Sequence, residues 1–208
     1  MKKLLLVAVC AILSINVNAQ AFEQGSSVLS VGYGFPNLIK TIWKSYETLG
    51  GFKASGVGPA HLKFEYFVSD KISLGISAGY VSSKIAYDET YTNSNNEEVN
   101  GETGFKTLSV GALAKFNFYW LRKDKVMMYS GIGAGYNHFN LSWFSDDPDF
   151  DELNELSITL PPIGFEATLV GAKFMFSNNL GAFAEIGYGK SLLQAGLCFG
   201  FGGGGGRF

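Results

Sequence analysis

The residues best placed to do chemistry are charged side chains set into otherwise apolar, glycine-rich segments: Lys63, Glu65, Lys115, Lys173 and Glu185. Each falls on the polar side of an alternating pattern. Charges facing a narrow lumen are strongly penalised unless paired, so these five predict a salt-bridge network inside a barrel. Such a network acts either as a structural plug or as a gate whose rearrangement admits ions. Eight strands leave an interior just wide enough for side chains, which favours the plug. His61 shares the face of Lys63 and reads as a hydrogen-bonded lumen residue rather than a ligand.

Three other clusters invite a chemical reading. His138, followed by Asn140 and Ser142, lies at a predicted rim. A Ser–His hydrolase needs its nucleophile within hydrogen-bond reach of the base, and neither a G-x-S-x-G elbow nor an orienting acid accompanies this pair. Asp146, Asp147, Asp149, Asp151, Glu152 and Glu155 form an acidic loop with no basic residue between Leu141 and Pro162. Asp147, Asp149 and Asp151 mimic the first calcium ligands of an EF-hand, but Glu152 stands where the glycine belongs and Ile158 where the closing glutamate belongs. A solvated acidic loop is therefore expected, with divalent bridging to lipopolysaccharide phosphates as the alternative. The run Gly131-Ile132-Gly133-Ala134-Gly135 lies within a strand and no helix follows it, so it supplies small lumen residues and not a nucleotide-binding turn. No catalytic, cofactor-binding or metal-binding residue is assigned.

The elements that must hold these residues show a period of two in segments of about ten residues, the length a tilted strand needs to cross the hydrocarbon layer. Strands are predicted over 26–35, 60–68, 72–83, 107–120, 126–138, 165–176, 180–188 and 191–201. In the second, Leu62, Phe64, Tyr66 and Val68 oppose His61, Lys63, Glu65 and Phe67. Long connections at 36–58, 87–106 and 140–164 alternate with tight turns at 69–71, 121–125 and 177–179, and only the loop near Gly189 is short where a long one is due. That alternation, with an even strand count, is the topology of an eight-stranded antiparallel up-and-down transmembrane β-barrel. Tyr33, Tyr66, Tyr80, Tyr136 and Tyr188 end the apolar faces and suit interfacial girdles. A soluble barrel with a ligand cavity would need the reverse, an apolar interior and a wet exterior. In loop one, Leu38, Ile42, Trp43, Tyr46 and Leu49 have helical spacing, so a short amphipathic segment is expected over the barrel mouth, at the outer interface or as a partner site.

The start of the chain has the pattern of a secretory signal: Met1-Lys2-Lys3, an apolar run from Leu4 to Leu13, and small residues at Val17 and Ala19. Residues 1–19 are expected to be removed and 20–208 to form the barrel domain, with a glycine-rich tail at 202–208. A lipoprotein reading through Cys10 suffers from the size of Val9 and the apolar residues that continue past the cysteine. Cleavage leaves Cys198 alone, so no intramolecular disulfide can form. A net charge of −2 argues against nucleic acid. The hydrophobic fraction is 47%, yet beyond Leu13 no run reaches the length of a membrane helix, so the apolar residues are dispersed as strands require.

Ala184-Glu185-Ile186-Gly187-Tyr188-Gly189, leading into Leu193-Gln194-Ala195-Gly196-Leu197, resembles the C-terminal hairpin of the small outer-membrane β-barrel domain family, of the OmpA-transmembrane and OmpX kind, in the version common in Bacteroidetes. The resemblance covers the whole mature chain. It implies a location in the cell outer membrane, contact with outer-membrane lipid and lipopolysaccharide, and insertion by the barrel-assembly machinery. Family members usually end on an aromatic residue that closes the last strand, a role expected of Phe201 with Gly202 to Phe208 trailing free, the alternative being Phe208 behind an abnormal glycine spacer. The expected role is structural or surface interaction with an extracellular partner, through long displayed loops and without a cofactor. A narrow, porin-like channel is the alternative, and a lipid-modifying enzyme using His138 the third.

Overall fold

The computed structural model describes residues 23–92, 97–123, 125–147 and 156–202. The expected signal segment, the tail from 203 and the acidic residues Asp149, Asp151, Glu152 and Glu155 lie outside the described residues. Nine strands are present among the described residues: β1 (Ser27–Phe35), β2 (Phe52–Ser69), β3 (Ile72–Thr92), β4 (Glu98–Lys123), β5 (Val126–Ser145), β6 (Ser157–Thr159), β7 (Ile163–Met175), β8 (Leu180–Tyr188) and β9 (Leu193–Phe201). Eight of them pair antiparallel with their neighbours in a closed ring, and β6 is a short addition to the outer part of β5. The ring closes where β1 meets β9, from Ser27 opposite Phe201 to Phe35 opposite Leu193. Closure pairs the strands around the membrane-crossing wall, the condition for strands to lie in hydrocarbon, and leaves the start of β7, before Ala167, unpaired on its β8 side.

Alternation assigns the two faces. Along β2, Leu62, Tyr66 and Val68 are exposed on the outside, while His61, Lys63, Glu65 and Phe67 are buried inside. The same parity places Leu74, Ile76 and Tyr80 of β3, Phe116 and Phe118 of β4 and Leu197 of β9 outside. An apolar exterior around a polar interior is the arrangement of a transmembrane barrel, and the aqueous alternative requires its inverse. The tight turns are built from short polar side chains: Ser177 Oγ accepts from Leu180 N–H at 3.1 Å, and Asn179 Nδ2 donates to the Gly200 carbonyl at 3.0 Å.

Three expected long loops are shorter than the sequence pattern suggests, because the strands continue into them. β2 begins at Phe52 and not at Ala60, β3 runs to Thr92, β4 begins at Glu98 and β5 reaches Ser145. The β3–β4 ladder is continuous from Ile72 opposite Phe118 to Thr92 opposite Glu98. At roughly 3.3 Å per residue and a tilt near 45°, a strand of the length of β3 spans about 50 Å along the barrel axis, roughly twice a typical apolar band. The nine residues each of β1, β8 and β9 barely cross that band. The wall is therefore tall on one side and low on the other.

The helix α1 (Leu38–Lys44), followed by a single 3-10 turn over Ser45–Leu49, occupies the amphipathic segment of the first connection. Asn37 caps it, accepting from Lys40 N–H at 3.1 Å and from Ser83 Oγ at 3.0 Å while donating to the Ser82 carbonyl at 3.2 Å. The cap thus ties the helix start to β3. Leu38 and Ile39 face a cavity at the barrel mouth, and Ile42 and Tyr46 are exposed.

Candidate functional site

The lumen is layered from the tight-turn rim upward. Val28, Phe67, Tyr119, Met127, Tyr129, Met175, Phe183 and Cys198 form one buried cluster. The ring of Tyr119 lies 4.9 Å from those of both Phe67 and Tyr129. Above the rings comes a first ion pair, Lys173 Nζ donating to Glu65 Oε1 at 2.5 Å and to the Tyr119 hydroxyl at 2.8 Å. The Tyr119 hydroxyl in turn donates to Glu65 Oε2 at 2.6 Å, and Ser73 Oγ donates to the same oxygen at 3.0 Å. Lys173 is only 1% exposed, so its charge depends wholly on these partners.

A second group sits higher. Lys63 Nζ donates to Glu185 Oε2 at 2.5 Å and lies 3.5 Å from Glu166 Oε1, which also accepts from Lys115 at 2.8 Å. Tyr129 donates its hydroxyl proton to Glu185 Oε1 at 2.6 Å, and Thr168 Oγ1 donates to Oε2 at 3.3 Å. All five charged residues singled out in the sequence are brought together, each buried and each paired.

Sequence reasoning missed several members of this site, among them Glu166, Lys190, Tyr119 and Tyr129. Glu166 is hidden by a bulge. Counting back by twos from Lys173 and Gly171 sends Glu166 outward, but the β7 register shifts between Thr168 and Val170, so Leu169 and Val170 both face out, at 65% and 41% exposure. The extra residue turns Thr168 and Glu166 inward. The available signal was the Leu169-Val170 doublet, two adjacent large apolar residues that can both meet lipid only across such a bulge. Lys190 escaped because it stands in the β8–β9 turn, where no alternation assigns a face.

Above the ion pairs, a cavity of 370 Å³ opens toward the tall rim, lined among others by His61, Gly79, Ser109, Asn137, Glu166 and Lys190. Lys190 reaches across it, donating to Ser109 Oγ at 2.5 Å and to Asn137 Oδ1. Its path depends on Gly79, where a Cβ would lie 2.8 Å from the Lys190 Cε.

The remaining candidates are not assembled into chemistry. His138 pairs with Val110 on the outward face of β5, and Ser142 follows four residues along the same face. Four residues of extended chain separate them by roughly 13 Å, well beyond hydrogen-bond reach. Asp146 accepts from the Glu102 N–H at 2.9 Å, and Asp147 donates its own N–H to Ser145 Oγ at 3.1 Å. On the tall wall, Lys53 lies 2.5 Å from Asp88, whose hydrogen bond and charge raise the pKa of the lysine.

No protein-family model and no curated protein sequence matches the chain. Similar solved structures include Ail, the attachment invasion locus protein of Yersinia pestis, at 17% identity and a TM-score of 0.41, covering 86% of this chain and 99% of that one. Ail in complex with the heparin analogue sucrose octasulfate gives 16% identity and 0.42 over the same shares. The outer membrane protein OprG from Pseudomonas aeruginosa gives 11% and 0.42, covering 89% of this chain and all 100% of that one. Likeness at this level carries no residue and no role to the present chain.

Proposed function

We propose that this chain is exported through a signal peptide cut after Ala19 and inserted in the cell outer membrane as a structural barrel that displays a tall β-wall to an extracellular partner. The carrying observation is a contrast within one molecule: ion pairs and stacked rings fill the lumen, whereas β2 to β5 continue well past the apolar band. A filled lumen has no path for solute, and a projecting wall has no role in crossing the membrane. In this reading lipid and lipopolysaccharide surround the barrel, and the assembly machinery acts on β9, which ends at Phe201. Asp146 and Asp147 lie on the displayed side.

Conductance tests this reading. The refolded mature chain, verified by a gel shift between boiled and unboiled samples, is expected to give no sustained current in planar bilayers. Sustained single-channel openings would overturn the proposal in favour of a narrow channel, for which the cavity above Lys63 and Glu185 would serve as the outer vestibule. Lipid-modifying activity lost in His138→Ala would point to the enzyme reading instead.

A further inference from the structure

The cavity above the ion pairs has two unlike walls. Its inner side carries His61, Asn137, Glu166 and Lys190, while Ile163, Phe165 and Tyr188, which line it too, are exposed apolar side chains of the barrel exterior. One space can touch both because the wall is interrupted. β7 pairs with β5 from Ile163 onward but with β8 only from Ala167, which stands opposite Tyr188. Residues 163–166 thus have no ladder partner on the β8 side. The cause is local: β8 stops at Tyr188 and the turn to β9 returns at once, and Pro161-Pro162 ahead of β7 carry no N–H to extend a ladder. The notch lies at the level of Tyr136, opposite Ile163, within the aromatic belt at the tall rim.

Charge in the lumen as a whole is unbalanced, for the cavity is lined by Lys190 and Glu166, and Glu166 is already shared by Lys63 and Lys115. The buried lysines Lys63, Lys115 and Lys173 are matched by Glu65, Glu166 and Glu185. Lys190 is a fourth cation, and the partners of its Nζ, Ser109 Oγ and Asn137 Oδ1, are neutral. His61, 5% exposed, lines the same cavity, and its Nε2 has no hydrogen-bond partner among the described residues. The two side chains are neighbours: a Cβ on Gly79 would sit 2.8 Å from Lys190 Cε and 3.4 Å from His61 Nδ1.

We propose that this cavity binds a long-chain fatty acid, its carboxylate held by Lys190 and His61 and its hydrocarbon chain leaving through the notch between β7 and β8 over Ile163, Phe165 and Tyr188. A monoanion cancels the surplus charge, and a buried carboxylate needs donors, which the Lys190 ammonium and the neighbouring His61 ring can supply. A single chain suits a 370 Å³ space, near the small end for ligand pockets, and the exposed apolar residues let the rest of the chain stay in hydrocarbon. The ligand comes from the membrane leaflet and requires no passage through the lumen, so the site stands whether or not the barrel conducts.

The test uses the full mature chain in lipid nanodiscs, with carboxyl-labelled palmitate followed by ¹³C NMR and with butyrate and hexadecanol as competitors. Saturable palmitate binding is expected, weakened about tenfold or more in Lys190→Met, as loss of a charge-assisted hydrogen bond predicts, and retained in Lys190→Arg. Each variant is checked for the gel shift on boiling; if Lys190→Met fails that check, His61→Phe and the competitors on the native chain carry the test. Failure of palmitate to saturate, unchanged affinity without the Lys190 charge, or competition by hexadecanol as strong as palmitate would each overturn the proposal. Butyrate binding as tight as palmitate would overturn it in favour of a site for soluble anions.

Discussion

Lys63 holds Glu185 at 2.5 Å and Glu166 at 3.5 Å, and Glu166 passes the charge on to Lys115, so two cations and two anions share one buried chain of contacts. Glu185 is its tightest link because Tyr129 and Thr168 also donate to that carboxylate. In Glu185→Ala, Lys63 would keep only the longer contact, and Tyr129 would lose its acceptor. Breaking one side of a buried pair costs about 3–5 kcal/mol, whereas replacing both charges by apolar groups of similar volume is often neutral. Glu185→Ala is thus expected to lower unfolding stability in urea by that amount, and Lys63→Met combined with Glu185→Leu to recover most of it. Equal losses in the single and double variants would show that packing volume, and not charge pairing, holds this layer.

At the scale of elements, β7 shows how one residue decides which side chains enter the lumen. Deleting Leu169 would remove the bulge and restore a strict period of two with Thr168 and Glu166 still inward, whereas deleting Ala167 keeps the bulge but turns Glu166 toward lipid and withdraws its carboxylate from Lys115 and Lys63. The Ala167 deletion is expected to abolish the heat-dependent gel shift, while the Leu169 deletion, which keeps Glu166 in the lumen, is expected to preserve it. The same bulge explains what the sequence could reveal. Lys63, Glu65, Lys115, Lys173 and Glu185 were legible because each strand alternates in one parity through them, and Glu166 was not because parity changes before it is reached. Strand ends were illegible for another reason. Past Tyr80 the outward side of β3 carries Ser82 and Lys84, and the latter bonds Glu102 across the ladder, so polar residues occupy both faces and the amphipathic signal fades although pairing continues. The helix at Leu38–Lys44 was readable from its apolar spacing, but that it is tied over the mouth by the contacts of Asn37 with β3 depends on side-chain partners that spacing does not encode.

For the whole molecule, the unequal wall separates what makes the barrel from what the barrel presents. Closure between β1 and β9, the ring cluster and both groups of ion pairs all lie within the height of the nine-residue strands. The projecting part of β3 and β4 is held by its own ladder and by local contacts, such as Thr103 and Ser145 donating to Glu89 and Asp146 accepting from Glu102 N–H. Asp88 stands opposite Glu102, so residues 89–101 can be replaced by an Asn-Gly turn without changing the register below. This shortened chain is expected to insert and to keep the gel shift on boiling, because every contact that closes the lumen survives, and to lose binding to the extracellular partner. Loss of insertion would mean that the tall hairpin guides barrel closure and is part of the fold. Retained binding would move the interaction surface to β5, β6 and the first connection, where Leu156, Ile158 and Tyr46 are exposed.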